Sequence, residues 1–485
     1  MWFRNGFVPL KKEMRHRKII IAIGLTALVG VFACARYNGP DNRLVLSAEE
    51  GEQLAGGSNN TVFDQSTNAF GFSAPALKGM DELNFAVGNS FFKQNWVSAP
   101  ASAESRDGLG PYFNARTCSG CHFKDGRGRP PRFDGEEASG LLLRLSIPGV
   151  NPYGGPRPDP NYGDQLQDRG IQGITREGNY SIVYTEIEKV FPDGETYALR
   201  QPEYVLNELN YGPLSGDVQI SPRVGQQIIG MGLLEAILES DILALADEND
   251  ADKDGISGRP NRVWDVFDQS ERLGRFGWKA NQPTVVQQTA SAFHGDMGIT
   301  SSPFPEQNCA DPQGDCQNAP DGGAPEVTDE SLESIVLYVS NLAVPARRDF
   351  DQPEVLQGKN IFNAIGCAKC HTPSFKTGIH DRFDNLSNQT IWPYTDLLLH
   401  DMGPGLADNR PDFKATGQEW RTQPLWGLGL IKSVNGHEFL LHDGRARNVQ
   451  EAILWHGGEA EAVTRNFKNL SKAERAALLT FLYSL

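Results

Sequence analysis

Two short segments carry the residue types with the most demanding chemistry: Cys118-Ser119-Gly120-Cys121-His122 and Cys367-Ala368-Lys369-Cys370-His371. In each, two thiols stand three positions apart and a histidine follows directly. Thiols at that spacing can add across the two vinyl groups of a haem, and the adjacent imidazole then lies under the iron. A single motif of this kind could equally be a redox dithiol or half of a zinc site. Two copies, both ending in histidine, predict two covalently attached haem c groups with His122 and His371 as proximal ligands.

The sixth ligand decides what each iron does. A saturated iron only passes electrons, whereas an open face binds peroxide or dioxygen. The remaining histidines beyond the N-terminal segment are His294, His380, His400, His437, His442 and His456. His456 is the best placed: Asn448 can cap a short helix on which Val449, Ile453 and His456 share a face, and Gly457-Gly458 ends it. It is therefore expected to ligate a haem iron, the alternative being a satisfied core histidine. His294 is the residue that could close the first iron, with Met297 and Met402 as weaker candidates. A separate acidic run, Asp250-Ala251-Asp252-Lys253-Asp254-Gly255, spaces three carboxylates as in the first half of an EF-hand loop, although position twelve is Asn261 rather than Glu. Asp250, Asp252 and Asp254 thus read either as a calcium site or as a solvated acidic turn.

These residues need scaffolding. A chain of 485 residues implies two to four domains, and 51 glycines and 30 prolines imply long irregular connections. A formal charge of −16 argues against nucleic acid as a partner. Lys11 to Lys18 form a basic stretch before an apolar run from Ile19 to Ala33, the pattern of an export signal. Val31-Phe32-Ala33-Cys34 resembles a lipoprotein cleavage box with an imperfect Phe32. The expectation is a periplasmic protein tied to the membrane only by lipid on Cys34, with plain secretion or an uncleaved anchor as alternatives. In such an oxidising compartment Cys309 and Cys316 should form a disulfide. Helical spacing covers 81–92, 224–246 and 328–342, alternation at 181–199 suggests a small hairpin, and Ser471 with Glu474 forms a capping box for a last helix. Each haem segment would thus close with an amphipathic helix, as cytochrome c domains do. The expected fold is mainly α, with a signal segment at 1–34 and two cytochrome c-like haem domains at 35–345 and 346–485. A long loop-rich insertion with some short strands enlarges the first.

His442-Asp443-Gly444-Arg445, followed by a helix, resembles the His-Asp-Gly motif of bacterial di-haem cytochrome c peroxidases. It also resembles the related enzyme that matures the tryptophan-derived cofactor of methylamine dehydrogenase. In those relatives the sixth ligand of the C-terminal haem lies 14 residues later and is Met or Tyr; here that position is His456. The resemblance therefore implies a bis-histidine second haem of lower potential. Segments 114–132, 230–235, 274–278 and 394–403 are similar to the di-haem oxidoreductase family, also labelled thiol oxidoreductase-like, over nearly all of the mature chain. No free dithiol supports that second label.

The peroxidases place a tryptophan between the haems, a glutamine ten residues on, and then an acid followed by Met. Trp278, Gln288 and Asp296-Met297 follow that order. The resemblance implies an electron relay at Trp278 and a distal pocket for the first haem at Gln288 and Asp296. The acid is Asp rather than Glu and comes two residues early, and about 155 residues separate Cys121 from this segment. On the residues alone, Trp278 could be core packing, Asp296 a loop residue and Glu235 a rival acid. The function implied is peroxide reduction at the first haem with electrons relayed through the second, drawn from a small redox protein or a quinol pathway. A carboxylate there would carry a proton from the proximal to the distal peroxide oxygen. The alternatives are a non-catalytic electron-transfer protein and a haem-dependent oxygenase acting on dioxygen.

Overall fold

The computed structural model describes residues 47–134, 136 and 140–485. The basic and apolar N-terminal segment and Cys34 lie outside the described residues.

Two glycines explain the helical framework. Helix α1 (Met80–Lys93) carries Gly88, where an added Cβ would stand 2.0 Å from the Ser334 carbonyl oxygen and 2.7 Å from Tyr338 Cβ. Gly358 plays the same part further on: its Cβ would stand 2.1 Å from the Ala477 carbonyl oxygen and 2.5 Å from Phe481 Cβ. The absence of a side chain lets each pair of helices cross with backbones in contact. The first haem motif forms a single turn, α2 (Cys118–Cys121), and α3 (Val285–Met297) follows the insertion. Next come α4 (Asp329–Ser340), which crosses α1, and α5 (Pro353–Ile365), which carries Gly358. The chain ends with α6 (Val449–Trp455) and α7 (Lys472–Ser484), and α7 crosses α5. Thr328 caps α4, and Ser471 and Glu474 form the expected capping box on α7. Aromatic rings repeat the pattern. Phe92 lies 5.3 Å from Tyr338 and 6.3 Å from His122, and Phe362 lies 5.1 Å from Phe481 and 6.4 Å from His371.

The expected class, mainly α with cytochrome c-like domains, is overturned. The protein is 27% helix and 19% strand, with many short strands and loops. Between the first motif and α3 the chain is built from strands: β1 (Leu141–Val150), β2 (Asn179–Val190), β3 (Thr196–Asn207) and β4 (Gln219–Val224). β1 pairs antiparallel with β4, from Leu141 opposite Val224 to Ser146 opposite Gln219. β2 and β3 form a hairpin running from Asn179 opposite Asn207 to Val190 opposite Thr196, longer than the alternation at 181–199 indicated. The helix expected over 224–246 breaks into two five-residue helices. Gly230 turns into the left-handed region there, and Gly232 packs where a Cβ would meet the Ser340 carbonyl at 2.6 Å.

The hairpin reaches across to the chain's last third. Arg200 donates to the carbonyls of Gly444 and Arg445, the Tyr204 hydroxyl donates to Asp443, and Arg475 pairs with Asp193 and Glu195 near the hairpin's turn. One hydrophobic core takes Val336 and Tyr338 from before position 345 and Phe362 and Phe481 from after it. Cys309 and Cys316 are joined by a disulfide. No helix among the described residues is long and apolar enough to cross a membrane.

A buried ion pair pins segment 408–416. Lys279 Nζ donates to Asp408 Oδ1 at 2.7 Å and to the carbonyls of Arg410 and Thr416, each at 2.8 Å; both charged side chains are 0% exposed. Removing Lys279 leaves the buried Asp408 with hydrogen bonds from Ser221 and the Arg410 amide and with its next cation, Arg223, 4.0 Å away. Lys279→Met is therefore expected to lower unfolding free energy by about 3–5 kcal/mol, measured by denaturant titration. A change below about 1 kcal/mol, the range of a surface pair, would contradict this reading.

Candidate functional site

The two Cys-x-x-Cys-His segments are held alike. His122 Nδ1–H donates to the Gln226 carbonyl at 2.5 Å, and His371 Nδ1–H donates to the Tyr394 carbonyl at 2.9 Å. Each bond fixes the tautomer that leaves Nε2 able to bind a metal. Burial lowers the His122 pKa and pushes His371 down to about 4, so both imidazoles stay neutral. Local geometry is arranged around these bonds. A Cβ on Gly225 would stand 2.8 Å from the Cys121 carbonyl oxygen and 3.3 Å from His122 Cε1, so the segment after β4 that holds His122 must carry glycine there. Tyr394 adopts φ 53°, a left-handed conformation costly for a tyrosine, where its carbonyl meets His371.

Around the second motif, one cavity is lined by Cys367, Cys370 and His371 together with His456, Met402 and Phe362. His456 follows α6, whose first turn is capped by Asn448 accepting from the Glu451 amide. His456 Nδ1–H donates to the Ala452 carbonyl at 2.6 Å, again sparing Nε2. His456 and His371 line the same cavity. Two thiols and the neutral imidazoles of His371 and His456, in an apolar-walled cavity that His400 and His442 also line, are donors that fit a haem group.

On the first side the neighbour is α3. Thr284 caps its start, Gly298 ends it in the left-handed region, and the Asp296 carbonyl accepts from the amides of Asn114 and Ala115, just ahead of Cys118. The Asp296 side chain accepts from Gln165 Nε2 at 3.1 Å, and Arg144 stands 3.6 Å away. Burial raises its pKa, with Arg144, Gln165 and His122 pulling the other way. Its charge in turn acts on Cys118, Cys121 and His122. Asp296 is thus beside the first motif and not a loop residue. Arg144 and Gln165 were missed from the sequence; the one clue was an arginine inside the apolar run 141–147.

The other expected residues divide. Gln288 lies on α3 two turns before Asp296 and is partly exposed, with no hydrogen bond between them among the described residues; its neighbour Gln287 is the anchored one, bonded to Val266 and Trp264. His294 is turned to the Glu306 carbonyl and stacks on Phe304. Glu235 accepts from the Val285 amide and pairs with His380, so it fastens the start of α3. Trp278 is buried, and its indole N–H donates to the Val224 carbonyl at 2.8 Å, two residues before Gln226. Its ring lines the cavity of His371 and meets His442 edge-on, and His442 stacks on Trp420 at 3.9 Å. Trp278 therefore touches the supports of both motifs.

His400 was left without a role by the sequence. Its Nε2–H donates to Asp396 at 2.8 Å and its Nδ1–H to Glu459 at 2.7 Å, and Nδ1 lies 3.6 Å from Cys370 Sγ. Burial pulls the imidazole pKa down, but Asp396 and Glu459 outweigh it and hold it well above 6.5; Glu459 falls to about 2, burial being outweighed by His400 and Ser257. A raised histidine stabilises the fold fully below its unfolded value and loses that contribution as pH climbs through the folded one. A depressed glutamate does so above its unfolded value, losing it as pH falls towards about 2. The stability difference between wild type and His400→Gln is therefore expected to be greatest between about pH 4.5 and 6.5 and to shrink at higher pH. A pH-independent difference in urea titrations would contradict it.

The acidic loop departs from the expected ligand set. Asp250 and Asp252 converge with Asp247, whereas Asp254 pairs with Lys369 of the second motif at 2.7 Å. Lys369 arrives from far along the chain, so the local spacing did not show that Asp254 is already engaged.

A family model described as "Di-haem oxidoreductase, putative peroxidase" matches residues 51–485. No curated protein and no solved structure matches the chain.

Proposed function

The chain belongs to the di-haem oxidoreductase family, and we propose on that premise that it reduces hydrogen peroxide at the first haem with electrons relayed through the second. In this reading both haems are covalent, held by Cys118 and Cys121 and by Cys367 and Cys370. Haem iron, when bound, supplies the exchange of electrons with peroxide. The chain's own residues do the rest.

The observation that carries the proposal is Asp296, a partly buried carboxylate of raised pKa on α3, whose carbonyl accepts from the amides just ahead of the first motif. In its ionised form it takes a proton from the peroxide oxygen nearer the metal and returns it to the farther one, so that the O–O bond breaks with water as the leaving group. Gln165 and Arg144 hold the carboxylate in place for both transfers. His456 closes the second site, which favours electron transfer there over ligand binding. Trp278 shortens the path between them, since its ring lines one site and its N–H grips the strand supporting the other. The donor in this account is a small redox protein or a quinol-fed pathway, and the basic and apolar N-terminal pattern supports a periplasmic site with lipid on Cys34.

The test is stopped-flow mixing of fully reduced holoprotein with hydrogen peroxide. Both haems should be reoxidised rapidly, with one peroxide consumed for two electrons. Reduced protein inert to peroxide but rapidly oxidised by dioxygen would replace this reading with an oxygenase. Protein inert to both would leave an electron carrier.

A further inference from the structure

We propose that Tyr338 and Asp125 form an oxidisable tyrosine site serving the first haem, where one oxidising equivalent from peroxide comes to rest on the phenol ring; this rests on the peroxidase reading above. Tyr338 on α4 is fully buried, and its hydroxyl donates to Asp125 Oδ1 at 2.5 Å, the length of a charge-assisted bond. The carboxylate is itself 0% exposed, and Lys93 Nζ stands 3.4 Å from its other oxygen. Burial raises the pKa of that carboxyl and the ammonium pulls it back, and Oδ1, which accepts the phenol hydrogen bond, is the atom placed to receive the proton. Phe92 lies between the pair and the motif, 5.3 Å from the Tyr338 ring and 6.3 Å from the His122 ring. Two aromatic contacts thus join the phenol to the proximal histidine.

Packing alone does not call for this arrangement. At the second helix crossing Phe481 occupies the place of Tyr338, touching Gly358 as Tyr338 touches Gly88. The residue three beyond the motif histidine is Ser374 there and Asp125 here. The crossing is therefore buildable without a hydroxyl or an acceptor. At the first crossing the chain also accepts left-handed backbone at two non-glycine residues, Lys124 (φ 51°) and Asp125 (φ 64°), where the carboxylate meets the phenol hydroxyl.

The step balances as follows. Conversion of hydrogen peroxide to two waters needs two electrons and two protons: the first haem, when bound, would supply one electron and Tyr338 the other, the two protons coming from solvent, while the phenol O–H bond breaks and its own proton moves along the hydrogen bond to Asp125 Oδ1. The products are a neutral phenoxyl radical and a carboxylic acid beside Lys93. An electron from the second haem, with the proton returned from Asp125, restores the pair.

The experiment uses ferric holoprotein frozen after one equivalent of hydrogen peroxide and read by electron paramagnetic resonance and optical spectra together. The expected result is a free-radical signal that narrows on ring-deuterated tyrosine, is lost in Tyr338→Phe and decays faster in Asp125→Asn. Tyr338→Phe reproduces the packing of Phe481, and a haem stain confirms that the variant has matured. Haem bands that respond to peroxide with no tyrosine-derived signal in wild type, or with the same signal in Tyr338→Phe, would overturn the proposal and leave the peroxidase reading standing. Bands unmoved by peroxide would overturn both.

Discussion

Asp296→Asn is expected to slow peroxide turnover by about 10²–10⁴-fold, the usual contribution of a positioned acid–base group, while both haems remain attached. Asparagine keeps the shape of the side chain and an oxygen for Gln165 to donate to, so the network around it should survive. Arg144 retains Asp164 at 3.1 Å as a partner, which limits the cost to folding. What is lost is the ability to take up and return a proton. The pH profile carries the same information. Burial raises the Asp296 pKa, and the ionised form is the one that accepts the first proton. Wild-type activity should therefore rise with pH through a limb above the ordinary carboxylate range of about 3.9, and the asparagine variant should lack that limb. Steady-state assays with peroxide across pH check both points. Turnover within a factor of two of wild type would remove Asp296 from the chemistry.

His456→Ala should have the second large effect, on the other haem. His456 follows α6, and its own Nδ1 bond to Ala452 fixes the ring that faces the cavity of His371. Alanine removes the imidazole placed to ligate opposite His371, although His400 and His442 still line the cavity. The low-spin signal of one haem should convert wholly to high spin, its reduction potential should rise, and turnover limited by electron relay should fall with it. His456→Met should restore a low-spin haem at a higher potential than wild type, because thioether ligation favours the reduced metal. Spectra and redox titrations of the two variants check this. An unchanged low-spin population in His456→Ala would show that another residue closes the site.

The parts of this site legible in the sequence are those whose chemistry is contiguous. Two thiols and a histidine act within five residues, so the haem motifs announce themselves, and Asn448 with Gly457 marks the helix that leads into His456. The partners of Asp296 are different. Arg144 and Gln165 lie more than a hundred residues earlier, on or beside strands, and only the packing of the insertion against α3 brings them together. Glu235 looked like a rival acid until the start of α3 was seen to sit on it. Asp254 fitted a calcium spacing, yet Lys369 claims it from the second motif.

The strands are hidden in the sequence for a related reason. Amphipathic spacing marks α4 and α7 and points towards helices. The strands contribute little to that signal: β2 and β3 stabilise one another through twelve-residue pairing, and β1 finds β4 some eighty residues on. Tyr338 shows the same limit. Helical spacing identifies the core face of α4 through Ile335, Val336 and Val339, but the meaning of the hydroxyl beside them appears only when Asp125 is in place.

The central claim is an asymmetry: one metal centre flanked by a carboxylate and accessible to peroxide, the other closed by a second imidazole. Electron paramagnetic resonance of the ferric resting holoprotein tests it most directly. The account predicts one high-spin and one low-spin ferric haem in equal amounts, with the high-spin species responding to an added small anionic ligand. Two low-spin haems, both indifferent to that ligand, would contradict it.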